Sequence, residues 1–103
     1  MKIIQHEQDR KKFTRCVERI LDRFQIKRET LFSRTKNRVV VSGRHLLFFL
    51  ASQEGITYHD IKEFLEEEGM MLKESSICYG IKKVNDSIKE DDDMKHIIKS
   101  LQS

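Results

Sequence analysis

Eight consecutive residues, Arg44-His45-Leu46-Leu47-Phe48-Phe49-Leu50-Ala51, are apolar on nearly every side when read as a helix. A helix of that kind has no face to turn towards water, so it belongs at the centre of a bundle. The rest of the chain must then supply its cover. The means are limited: the 103 residues are 38% apolar, against roughly 45–50% in typical globular chains, a range that also counts Gly. One small domain is expected, its core built from a few well-placed side chains.

The covering segments are written in the helical period. Phe13, Val17, Ile20, Leu21 and Phe24 form one stripe, with Lys12, Arg15, Arg19 and Arg23 on the opposite face. A break at residues 25–27 and a short segment bearing Leu31 and Phe32 follow. Arg34-Thr35-Lys36-Asn37-Arg38 has no apolar period and reads as a loop. Val39-Val40-Val41 has strand propensity, but no other segment offers it a partner strand, so no sheet is assigned.

With no proline in the chain, capping and glycine must mark the boundaries. Gly55 closes the central helix. Thr57, followed three residues later by Asp60, is an acidic form of the capping box, and Ile56 with Ile61 matches a hydrophobic staple. The helix opened by Thr57 runs through Phe64 and Leu65 to Gly69. Ile77, Ile81, Val84 and Ile88 are the seam of another, with Ser75-Ser76 as candidate caps. Gly80 inside it costs up to about 1 kcal/mol relative to Ala, which close approach of a neighbouring helix would explain. Asp91-Asp92-Asp93 suits a helix start, and Met94, Ile97, Ile98 and Leu101 complete a last amphipathic turn or two. The expected fold is all-α, a bundle of five or six helices in residues 9–103 after a flexible segment at 1–8.

Charge is unevenly spread. Residues 1–44 hold 13 Lys/Arg and 5 Asp/Glu, whereas residues 45–103 hold 7 and 12. The densest basic stretch, Lys27 to Arg44, contains one acid, Glu29. Such one-sided charge points to a polyanionic partner. The acidic counterpart is the segment with Asp60, Glu63, Glu66, Glu67 and Glu68, where acids near phosphate would repel it.

A capped helix, a glycine-marked turn and a second helix opening with small polar residues outline a helix-turn-helix, here over about 57–89. In the order of these features the sequence resembles the C-terminal DNA-binding domain of the bacterial replication initiator DnaA, a Trp-repressor-like helical fold. The similarity runs from about Phe13 to the C-terminus. It is carried by Ile26-Lys27 through Leu31-Phe32-Ser33, by the loop Ser33-Arg34-Thr35-Lys36-Asn37-Arg38, and by Val40 through Arg44-His45. Ile56-Thr57-Tyr58-His59-Asp60-Ile61, Ser75-Ser76-Ile77 with Ile81-Lys82-Lys83-Val84, and the spacing from Ile88 to Leu101 extend it.

The resemblance implies double-stranded DNA as partner. Arg34, Lys36 and Arg38 fall in the basic loop, with Lys36 at the position that enters the minor groove. Arg38 and Arg44 match basic positions near the DNA backbone. His45, Ser76 and Lys83 match phosphate contacts, and Lys82 lies beside them on the recognition helix. The family reads bases with the opening of its Asp-His-Thr-Thr run, where this chain has Lys73-Glu74-Ser75-Ser76. Glu can accept from a cytosine amino group and Lys can donate to guanine; either another sequence is read or reading is lost. The turn before this helix is also about three residues longer, containing Gly69-Met70-Met71-Leu72. Replication or transcription regulation by a stand-alone DNA-binding domain, bacterial or phage-encoded, is the role this implies. The alternative is a protein-interaction module that keeps the fold and binds a protein partner, or a second copy, through the acidic helix.

Other classes lack their residues. No G-x-x-x-x-G-K-[ST] loop occurs, so the initiator's ATPase is not implied. His6, His45, His59 and His96 show no ligand spacing with one another or with Cys16 and Cys78, so no metal is expected. The two cysteines, 62 positions apart in helical patterns, read as reduced core residues. Neither has a paired His that would make it a nucleophile. No enzyme, cofactor or small-molecule substrate is therefore expected. No apolar run approaches the roughly 18 residues of a membrane span, and Met1-Lys2-Ile3-Ile4-Gln5-His6-Glu7 lacks the apolar stretch of a secretory signal. A cytoplasmic protein with no membrane partner is the expectation.

Overall fold

The computed structural model describes the backbone of residues 2–102 and the side chains of residues 6–102. Six α-helices follow one another: α1 Lys2–Phe24, α2 Arg28–Leu31, α3 Arg38–Gln53, α4 Tyr58–Glu67, α5 Glu74–Glu90 and α6 Asp92–Gln102. No strand occurs among the described residues. The protein is an all-α bundle of six helices.

α3 is the central helix that its composition demands. Residues Leu46 to Ala51 are all buried, and α1, α2, α4 and α5 pack around it. Its start answers the question raised by the three valines. The Asn37 side chain caps the helix, accepting from the amides of Val39 at 2.9 Å and Val40 at 3.4 Å. That cap commits the β-branched run to a helix despite its strand propensity. Thr57 caps α4 in the same manner, accepting from the Asp60 amide at 3.2 Å, and Ile56 and Ile61 are both buried beside it. Asp91 caps α6, its carboxylate accepting from the Asp93 amide at 2.9 Å.

Gly80 sits where two helices come closest. A Cβ there would lie 2.8 Å from His45 Cδ2 and 2.9 Å from Phe48 Cδ2, so α5 approaches α3 only because the side chain is missing. Gly69 has φ +87, a left-handed conformation that glycine adopts without a Cβ penalty and that ends α4.

Residues 2–8 are the opening turns of α1; Met1 lies outside the described residues. The His6 ring there stands edge-on to the buried Phe64 ring, with centroids 5.0 Å apart. Two expectations are revised. Ser75 and Ser76 are not caps. α5 starts one residue earlier, at Glu74, after an extended Lys73 that makes no side-chain cap bond. Cys16 is core, but Cys78 faces solvent, because α5 buries the stripe Ile77, Gly80, Ile81 and Val84. In the turn before α5, Met70 is buried and Met71 is 70% exposed. No helix among the described residues is long and apolar enough to cross a membrane.

Candidate nucleic-acid interface

The α3–α5 seam opens into a cleft of about 290 Å³ lined by Arg44, His45 and Phe48 from α3, Leu72 from the turn, and Ser75, Ser76 and Tyr79 from α5. A smaller one, about 150 Å³, lies on the other side of His45 and includes Ser42, Lys83 and Ser87. Both follow from the close approach at Gly80, which sets His45 between the helices.

Arg44 ties the basic loop to this seam. Its Nε donates to the Leu31 carbonyl at 2.8 Å, and its Nη2 donates to the Ser33 and Thr35 carbonyls at 2.7 and 2.9 Å. These are the orphan carbonyls at the end of α2 and in the loop, which a cation satisfies well. Expected near a DNA backbone, Arg44 is thus a clamp that fixes the backbone on both sides of Arg34. Its Nη1 makes no hydrogen bond among the described residues, so one face of the guanidinium still opens on the cleft.

Arg34, Lys36 and Arg38 are exposed on or next to the clamped loop, and Lys73, Lys82 and Lys83 are exposed on or next to α5. Among the described residues none of these six cations forms an ion pair. Lys83 instead sits over the Tyr79 ring, its Nζ 5.5 Å from the centroid, and Tyr79 is in turn edge-on to His45 at 6.0 Å. Tyr79 is 56% exposed. Its four-residue spacing from Lys83 was the available signal for this stack; Ser42 and Ser87, polar neighbours in the smaller cleft, carried none.

Burial holds the His45 imidazole below its usual value, and Arg44 and Lys83 add to this. It is therefore neutral at pH 7, with one N–H to donate. The first-turn amides of α5 add positive potential, since helical geometry leaves those of Glu74 and Ser75 without a carbonyl acceptor. Arg44, His45, Ser75, Ser76 and Lys83 are thus brought along one seam. Glu74 is not among them: at about 100° per residue it lies about 200° around α5 from Ser76. Lys82 lines neither cleft.

Four acids on or just past α4 are engaged elsewhere. Arg10 of α1 meets Glu67 at 2.9 Å, and Arg28 of α2 forms a two-pronged pair with Glu68, its Nε donating at 3.1 Å. Lys62 and His59 pair along α4 with Glu66 and Glu63, at 3.3 and 3.0 Å. Elsewhere, burial with Glu54 nearby pushes the Cys16 thiol up to about 11, which keeps it protonated at neutral pH. No family model, curated protein or solved structure matches this chain.

Proposed function

We propose that the chain binds double-stranded DNA as an initiator-like, Trp-repressor-like helix-turn-helix domain, in replication or transcription regulation. The observation that carries this reading is the separation of charge in space. Six exposed cations, Arg34, Lys36, Arg38, Lys73, Lys82 and Lys83, form no ion pair among the described residues and lie on or next to the clamped loop and α5, the elements on either side of a cleft lined by Arg44, His45, Ser75 and Ser76. Glu67 and Glu68, at the end of α4, are drawn into pairs with α1 and α2.

On this reading the clamped loop lies in the minor groove or on its backbone, with Lys36 leading. His45, Ser76 and Lys83 meet phosphate, and the start of α5 approaches base edges in the major groove. Ser75 and Tyr79 face outward from that start; Glu74, on the far flank of α5, reads bases only from the edge of the contact. The alternative of a protein partner docking on α4 has less support, because Glu67 and Glu68 are already paired within the molecule.

Fluorescence anisotropy across a salt series tests the proposal, with an initiator-box duplex and a random duplex side by side. Several neutralised phosphates give a log–log slope of about −3 or steeper, at roughly 0.9 per contact. Lys36→Ala should weaken binding on both duplexes and reduce the slope by about 1. Tighter binding to the box would mean that base reading persists with Lys73-Glu74. No binding at low salt would sink the proposal.

A further inference from the structure

We propose that His6, Asp60 and Glu63 form a binding site for a divalent transition-metal cation of the zinc class, which fastens the start of α1 to the start of α4. His6 stands 54 and 57 positions before Asp60 and Glu63, yet the ligand atoms of all three lie within 4.8 Å of one another. Each side chain is half-buried, so the site is open to an arriving ion without being fully solvated.

The geometry suits a cation better than a set of direct bonds. Among the described residues neither the His6 imidazole nor the Asp60 carboxylate makes a hydrogen bond or an ion pair. The ligand atoms converge without bonding one another. Around a tetrahedral zinc with bonds of about 2.0–2.2 Å, ligand atoms stand roughly 3.4 Å apart. Contraction by about 1–1.5 Å at most closes the present arrangement around an ion, within the reach of side-chain rotation. One imidazole nitrogen and two carboxylate oxygens suit zinc, whereas magnesium and calcium favour oxygen alone. Water would fill the fourth position.

The surroundings hold these ligands in place. The His6 ring is edge-on to Phe64, at 5.0 Å and 89°, and Phe64 is buried, so the imidazole is oriented before any ion arrives. Asp60 and Glu63 are three residues apart and share a face of α4. The His59 Nε2 lies 3.0 Å from Glu63 Oε1, the kind of outer contact that orients a ligating carboxylate. A bound cation would also relieve the repulsion between two neighbouring carboxylates. None of the three ligands is among the residues that the DNA-binding reading assigns to contact, although α4 is the first helix of that helix-turn-helix.

The test is calorimetric titration of the full chain with Zn²⁺ in a buffer holding excess Mg²⁺, with circular dichroism to confirm that each variant is folded. The expected result is one equivalent of Zn²⁺ bound, with His6→Ala and Glu63→Gln each weakening it by about tenfold or more. Cys78→Ser should leave it unchanged. Co²⁺ in place of Zn²⁺ should give ligand-field bands without thiolate charge transfer. Zn²⁺ affinity weaker than about 100 µM, a smaller loss in either folded variant, or a thiolate band would each overturn the proposal.

Discussion

The basic loop with α5 and the acidic helix α4 are both crowded with charge, but the fold treats the two crowds differently. At the end of α4, Glu66, Glu67 and the C-cap Glu68 each find a cation, two of them on α1 and α2. On the loop and α5, the cations find no acid among the described residues; the one internal commitment is that of Arg44, which bonds to carbonyls. A charge that is paired at home has little left for a partner, while an unpaired one keeps its field. Two charge-rich stretches of sequence thus become unlike surfaces, and the comparison can be broken or sharpened one residue at a time.

The largest expected effect comes from the clamp. Arg44→Ala removes three charge-assisted bonds and leaves carbonyls unsatisfied, and should cost on the order of 2–4 kcal/mol in urea unfolding, after discount for partial exposure. DNA affinity should fall with it. Lys36→Ala, by contrast, should weaken binding with stability unchanged. If both variants lose affinity with stability intact, Arg44 acts on DNA directly and the clamp is secondary.

Gly80→Ala is next. Helix propensity favours Ala by about 1 kcal/mol, but the added methyl would meet His45 and Phe48 below 3.0 Å, an overpacking cost of roughly 1–3 kcal/mol. The net expectation is a loss of about 1 kcal/mol, or roughly 4–8 °C in Tm, with the seam around His45 pushed apart. A gain in Tm would mean that the α3–α5 approach is looser than the geometry indicates.

A smaller effect should appear with pH. His45 is held below its usual value of 6.5 by burial, with Arg44 and Lys83 contributing. The unfolded chain therefore binds a proton that the folded chain resists. The stability this confers is fully present above about 6.5 and is lost as pH falls through the lowered folded value. His45→Gln should flatten that part of the stability–pH curve. An unchanged curve would assign the acid sensitivity to other groups.

The smallest expected effects are on the acidic side. Glu67→Gln and Glu68→Gln remove exposed ion pairs and should each cost less than about 1 kcal/mol. With Arg10 and Arg28 freed, DNA affinity should rise slightly or stay level. A large gain would mean that α4 lies close to the phosphates, and the contrast between the two surfaces would collapse.

Much of the bundle was legible before any coordinates because its signals act within a turn or two. The apolar run at Leu46–Ala51 required a central helix, the hydroxyl of Thr57 set the start of α4, and Gly80 marked a close approach. The same locality explains what was misread. Ser75-Ser76 resembled a cap because the extended Lys73 before them carries no cap signature, and the contact of His6 with Phe64 carried no signal because the two lie 58 positions apart.

The sequence by itself therefore determined the helices, their order and the sign of the charge on each half of the chain. Hydrogen-bonding range and helical period fix these among near neighbours. The tertiary structure alone decided which charges are spent. It brought Arg10 to Glu67 and Arg28 to Glu68, turned Arg44 inward onto the carbonyls of Leu31, Ser33 and Thr35, and gathered His6, Asp60 and Glu63 at one point. Those meetings depend on how helices pack through space, and no spacing along the chain records them.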